Sequence, residues 1–254
     1  MTTAIPPVEI ERPDAAGRFI FVCEHASNAF PARWGDLGLT AAAREAHIAW
    51  DPGALGLARA LAGALDGPLV AATASRLIYD LNRPPHAPGA MPARSETYDI
   101  PGNAAIAPAD RLARTEALYL PFHDALGGLI ARRLARGLAP VLVTVHSFTP
   151  VWFGQPRAVE LGVIHDADPR LAQALVAEAR ARTTLETRLN EPYSAADGVT
   201  HTLARHATPM ALPHAMIELR NDLIATQAQQ ADIAAQLAPL LVAALARIET
   251  REAA

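Results

Sequence analysis

Two histidines stand where chemistry is easiest to build. His25 follows the apolar run Arg18 to Cys23 and His146 follows Val141 to Val145, so each lies at the carboxyl end of a short buried strand. Two neutral imidazoles and a carboxylate make a zinc site that keeps a fourth position for water. Such a water reaches a pKa of about 7 and becomes a nucleophile at neutral pH. The third ligand must be a carboxylate or another imidazole, and Glu24, Asp51 and Glu218 are the candidates. Asp51 is favoured because it opens a helix just after the first strand and can reach the same rim. Glu218 lies in the apolar run Met216-Ile217-Glu218-Leu219, where burial raises a carboxyl pKa. So placed, it can act as general base on a water and return the proton to a leaving amine.

A second cluster is Asp80-Leu81-Asn82-Arg83. A guanidinium holds a carboxylate through two parallel hydrogen bonds, so Arg83, with Asn82 and Arg76, forms a candidate substrate clamp. Ser147 and Arg220, beside the two other candidates, complete the substrate-binding set. Each has a plainer reading: Asp80 can pair locally with Arg83, Arg220 can pair with Glu218, and Asp51 can simply cap a helix. Cys23 is a competing nucleophile with His25 or His146 as base. It sits inside an apolar strand and reads better as a packing residue.

The composition narrows the chemistry. The 254 residues carry a net charge of −4, 51% hydrophobic residues and 19% charged ones, which fits a packed globular enzyme and offers no basic stripe for nucleic acid. All 22 basic residues are arginine. The absence of lysine removes Schiff-base catalysis, a pyridoxal-phosphate anchor and a phosphate-loop lysine. A lone cysteine excludes an intrachain disulfide. Residues 1–17 lack the apolar run of a signal peptide, and no stretch reaches about 18 uninterrupted apolar residues. The expected location is cytoplasmic, without a membrane span; the oligomeric state is not specified.

These residues need elements to position them. Strands are expected at Arg18–Cys23, Leu69–Ala74, Val141–Val145, Leu161–Ile164 and Ala215–Leu219. Helices are expected from Thr40 to His47, from Asp51 at an N-cap to about Leu65, from Ala109 to Arg136, from Pro169 to Arg182, and from about Ile224 to Arg247. The proline-rich span His86 to Pro108 reads as a long loop. Alternating strands and helices predict a mixed, largely parallel sheet covered on both faces, with ligands beyond the carboxyl ends of the strands.

Seven blocks in order carry a resemblance: Cys-Glu-His-Ala-Ser-Asn-Ala (23–29), His-Ile-Ala-Trp-Asp-Pro-Gly-Ala (47–54), Ser-Arg-Leu-Ile-Tyr-Asp-Leu-Asn-Arg-Pro (75–84), Ile-Pro-Gly-Asn (100–103), Val-His-Ser-Phe-Thr-Pro (145–150), Asn-Glu-Pro-Tyr (190–193) and Ile-Glu-Leu-Arg-Asn-Asp-Leu-Ile (217–224). Together they resemble the N-formylglutamate amidohydrolase family. The resemblance implies a single domain over residues 1–254, similar to zinc-dependent exopeptidases and aspartoacylases. It implies an α/β three-layer sandwich of phosphorylase/hydrolase type with a mixed, largely parallel central sheet. The implied activity is hydrolysis of a linear amide in a small anionic N-formyl or N-acyl amino acid, with a divalent metal, zinc.

By position in the blocks, His146 matches the second ligand histidine, Asn82 and Arg83 match the pair gripping the substrate carboxylate, and Glu218 matches the general base. The exopeptidase pattern places a glutamate ligand three residues after the first histidine. Here that residue is Asn28, which leaves Asp51, Glu24 or Asn28 as the third ligand. Other blocks depart as well: Arg157-Ala158-Val159-Glu160 replaces an Arg-Pro-Trp-His type, no Gly-Asp precedes Asn190, and Gly198-Val199-Thr200-His201 replaces an Asp-Tyr-Thr run. The competing readings are a thiol amidase using Cys23 and a binder of carboxylated small molecules without catalysis.

Overall fold

The computed structural model describes residues 6–252. Seven strands form one sheet: β1 Val8–Glu11, β2 Phe19–Cys23, β3 Leu69–Ala72, β4 Val141–Phe148, β5 Leu161–Ile164, β6 Thr187–Leu189 and β7 His214–Arg220. Their spatial order is β1-β3-β2-β4-β7-β5-β6. The four central strands β3, β2, β4 and β7 run parallel. β5 and β6 run parallel to each other but against β7, and β1 lies antiparallel on β3. The sheet is mixed and largely parallel, as its apolar runs predict. The two strands that sequence patterning misses are short edges, β1 (VEIE) and β6 (TRL), with half-exposed residues.

Strand alternation sorts the side chains between two faces. On one face Phe21, Cys23, Val143, Val145, Ile217 and Leu219 pack under the helices α1 Ala54–Ala64, α3 Arg170–Arg182 and α5 Gln227–Glu252. On the other, Val22, Leu142 and Met216 meet α2 Leu120–Ala135 and α4 His201–His206 through Phe122, Leu126 and Leu203. Covering both faces is what lets β2 and β4 be continuously apolar. α5 is long and apolar enough to cross a membrane by length and composition. Here it packs on α1 and α3, with Leu237, Leu241 and Ala244 fully enclosed.

Three local expectations change. The helical run Ala109 to Arg136 is interrupted by a wide turn at Thr115–Tyr119. Pro121 has no N–H for the regular ladder, so the helix loosens just before it. The span His86 to Pro108 is folded, with a two-strand pair Arg94–Ser95 and Tyr98–Asp99 and a short helix Pro101–Ala104. Asn103 anchors it: its amide donates to Leu77 O at 2.8 Å and Pro92 O at 3.0 Å, while Arg114 donates to its Oδ1 at 2.7 Å. Asp51 does not cap α1. Gly53 occupies that position at φ +82°, where a Cβ would meet Ile224 O at 2.3 Å. The turn thereby frees the Asp51 carboxylate to face the sheet.

Candidate active site

The site lies at the carboxyl ends of β2, β4 and β7. Glu218 is the register partner of His146 across β7 and β4, and Val22 is the partner of Thr144 across β2 and β4. Two residues past that pair, Glu24 comes alongside His146, with Oε2 3.2 Å from Nε2. Glu24, His146 and Glu218 thus share one face of the sheet. His25 follows at the strand exit, where its carbonyl accepts the Asp51 N–H at 2.9 Å. The Ser147 N–H donates to Asp51 Oδ2 at 3.3 Å and draws that carboxylate over the rim.

Three donor atoms converge. His25 Nδ1 and His146 Nδ1 lie 3.1 Å apart, and Asp51 Oδ2 lies 3.2 Å from the first and 2.9 Å from the second. The far nitrogen of each imidazole faces a carboxylate. Asp80 Oδ1 is 2.8 Å from His25 Nε2. A carboxylate only accepts, so His25 Nε2 carries a hydrogen, and once the ring is neutral Nδ1 would be free to offer its lone pair to a metal ion. Glu24 Oε2 stands 3.2 Å from His146 Nε2 and acts on the ring chiefly by charge. Two imidazoles backed by carboxylates, with a third carboxylate between them, form a set that can hold a metal ion.

The acid–base balance reflects this demand for positive charge. Burial alone would raise Asp51, yet the charge of His25 and hydrogen bonds from His146 and His25 hold it far below the carboxylate range. Burial alone would lower His146, and Glu24 and Asp51 outweigh it, raising the imidazole well above its usual value. Asp80 is likewise held low against burial, by Arg76 and then His25. Glu218 behaves oppositely. It is 5% exposed, its Oε2 has no partner, and burial chiefly pushes its pKa up to about 7.

A cavity of about 350 Å³ opens over these groups, with Arg76, Asn82, Arg83 and Ser147 in its wall. Most of these side chains are already engaged. Arg76 donates to Asp51 Oδ1 at 3.2 Å and to Asp80 Oδ2 at 2.6 Å. The Asn82 amide donates to Val199 O, and its Oδ1 accepts the Thr202 N–H at 2.9 Å. Ser147 Oγ donates to Pro52 O at 2.8 Å. Arg83 is different, since its Nη1 is buried in the wall with no partner. The alternative reading of a local Asp80–Arg83 ion pair does not hold; Asp80 pairs with Arg76. Arg220 lies outside the cavity wall and pairs with Glu160 and Asp222 instead of Glu218. Asn28 donates to Arg44 O and takes no part in the donor cluster.

Cys23 cannot serve as a nucleophile in this arrangement. Its side chain packs on the opposite face of the sheet at 0% exposure, and burial, then Asp51 and Glu24, keep the thiol protonated. Sequence patterning also misses part of the wall. Phe148, Trp152 and Tyr193 line the cavity, carried by the end of β4, the short hairpin Val151–Trp152/Gln155–Pro156 and the loop after β6. Gly162 on β5 admits that loop, because a Cβ there would meet Glu191 O at 2.1 Å. The signal available was that Phe148 and Tyr193 stand inside two of the quoted blocks and Trp152 two residues beyond one of them.

Behind the site lies a second group of histidines, His123 and His206 buried and His201 half-buried. His123 donates from Nε2 to Leu81 O at 3.0 Å and shares a 2.8 Å contact with His206. His201 pairs with the Tyr119 hydroxyl at 2.9 Å. No carboxylate pairs with any of the three among the described residues. Burial first, then neighbouring cations or imidazoles, lowers His123 to about 3 and His201 and His206 to about 4.

A model of the N-formylglutamate amidohydrolase family matches residues 17–225. Among solved structures, a gene product from Agrobacterium tumefaciens is 51% identical, with a TM-score of 0.94 over 96% of this chain and 97% of that one. An N-formylglutamate amidohydrolase from Ralstonia eutropha JMP134 is 20% identical, with a TM-score of 0.63 over 93% of this chain and 96% of its own. That second likeness is one of fold. No curated protein matches the sequence.

Proposed function

The chain belongs to the N-formylglutamate amidohydrolase family, and we propose that it hydrolyses the amide of a small N-formyl or N-acyl amino acid with a divalent metal, zinc. Enzymes of this family are hydrolases of a carbon–nitrogen bond outside the peptide chain. The observation that carries the reading is the convergence of His25 Nδ1, Asp51 Oδ2 and His146 Nδ1 within 3.2 Å of one another, with Glu218 at the next strand in register.

His25, Asp51 and His146 would hold the ion, while Asp80 and Glu24 back the imidazoles from behind. When bound, zinc supplies a Lewis acid and lowers the pKa of water to about 7. Glu218 handles the proton. With a pKa of about 7 it accepts a hydrogen from the attacking water at its unpartnered Oε2 and delivers it to the departing amine nitrogen. Arg83 binds the substrate carboxylate through its free guanidinium face, a charge-assisted contact worth about 1.5–3 kcal/mol. Arg76 keeps Asp51 and Asp80 in place and does not grip substrate.

Purified protein supplied with zinc is expected to release formate from N-formyl amino acids, and a chelator to stop it. Glu218→Gln lowers kcat by about 10²–10⁴-fold while bound metal stays constant by elemental analysis. Full activity in that variant removes Glu218 from this role.

A further inference from the structure

The cavity offers fewer usable cations than an N-acylated acidic amino acid requires. Such a molecule brings two carboxylates, and each one withdrawn from water needs a cation or several donors. Two guanidinium groups stand in the wall, Arg76 and Arg83. Both terminal nitrogens of Arg76 are occupied by Asp51 and Asp80. Arg83 alone presents a buried, unpartnered nitrogen, and among the described residues no carboxylate pairs with it. One free guanidinium suits one carboxylate, the α-carboxylate that every acyl amino acid carries.

Outside the donor cluster and the two guanidinium groups, the wall carries the hydroxyl residues Ser95 and Thr149, three aromatic rings and one more basic side chain, His47, which is already paired with Glu96 at 2.6 Å. Phe148, Trp152 and Tyr193 face the cavity. The next guanidinium, Arg157, is stacked on these same rings, 5.4, 4.8 and 5.2 Å from their centroids. Its Nη2 donates to the Tyr193 hydroxyl at 3.1 Å and its Nη1 to Thr149 O at 3.5 Å. It therefore stiffens the aromatic wall from outside, since it is not among the residues lining the cavity. Asp197, exposed on the rim, adds a negative charge that repels a second anion.

We propose that the substrate is a monoanionic N-acyl amino acid with an uncharged side chain, aromatic or apolar, seated against Phe148, Trp152 and Tyr193. Arg83 takes its single carboxylate. This inference rests on the amide-hydrolase reading above and specifies its substrate class.

The test compares kcat/KM of the purified protein, with zinc chloride supplied, for the N-formyl derivatives of L-phenylalanine, L-leucine, L-glutamine and L-glutamate. Glutamine and glutamate have nearly the same shape, so their ratio isolates the charge. The glutamine derivative is expected to exceed the glutamate derivative by at least about tenfold, and the phenylalanine derivative to exceed both. A smaller glutamine-to-glutamate ratio, or preference for glutamate, overturns the inference and leaves the amide-hydrolase reading intact. Hydrolysis of none of the four overturns that reading and the inference with it. Arg157→Ala gives a second check. Loosening the wall lowers kcat/KM for all four derivatives, whereas a loss confined to the glutamate derivative means that Arg157 leaves its stack to bind a side-chain carboxylate, which also overturns the proposal.

Discussion

Two groups of histidines, all buried except the half-buried His201, sit on the same side of one sheet and are tuned in opposite directions. His25 and His146 each face carboxylates, and His146 is raised well above its ordinary value. His123, His201 and His206 pair with a carbonyl, a hydroxyl and one another, and fall to about 3 or 4. Burial is common to both and disfavours the imidazolium in each. The difference is the partner. Carboxylates create a demand for positive charge at one group, which a metal ion can satisfy, while neutral partners make the other a polar but uncharged part of the core.

That contrast can be broken most severely at a ligand. His146→Ala is expected to abolish turnover and to remove bound metal, read by elemental analysis of protein purified with zinc. Retention of both would mean that the front group is not a metal site. A sharper probe leaves the donors intact and changes only the charge behind them. Asp80→Asn keeps the shape beside His25 Nε2 and is expected to lower metal affinity by about 10–100-fold, measured by competition with a chelator.

The smallest effect is expected at the rear group, where His123→Phe leaves metal content unchanged and costs about 1–3 kcal/mol of stability at pH 7.5 by orphaning a buried partner. Its pH signature has a definite sign. A histidine held neutral at a folded pKa of about 3 contributes stability that is complete above the unfolded value near 6.5. That contribution is lost as pH falls from 6.5 toward 3. The native protein should therefore lose stability in acid over that window, and His123→Phe should flatten the loss in denaturant titrations at stepped pH.

Much of the front group was legible because strand ends are easy to see. Continuous apolar runs placed His25, His146 and Glu218 at one rim, and the parallel sheet follows from the same runs. Asp51 shows the limit. It was favoured as the third ligand, but Asp-Pro-Gly before a helix reads equally as a cap, and the backbone turn at Gly53 is what decides between the two. The engagement of Asn82, Ser147 and Arg76 was not legible either, because Val199, Thr202, Pro52 and Asp51 are separated from them in sequence and meet them only through tertiary packing. Arg220 looked available beside Glu218, yet Glu160 comes from the segment before β5, which lies antiparallel on β7. The aromatic wall depends on a six-residue hairpin and a loop that Gly162 admits. Composition gives no hint that these segments close on the same space.

Glu218 and His146 are partners across one strand pair, which makes their meeting all-or-none. A slip of one residue between β4 and β7 would turn Glu218 into the apolar layer beneath α3 and bring Leu219 to the cavity. The alignment error that would disarm the centre would also bury a carboxylate among leucines. Quality control of the fold and quality control of the chemistry are therefore the same event, and a misregistered population would be discarded before it could become a slow enzyme.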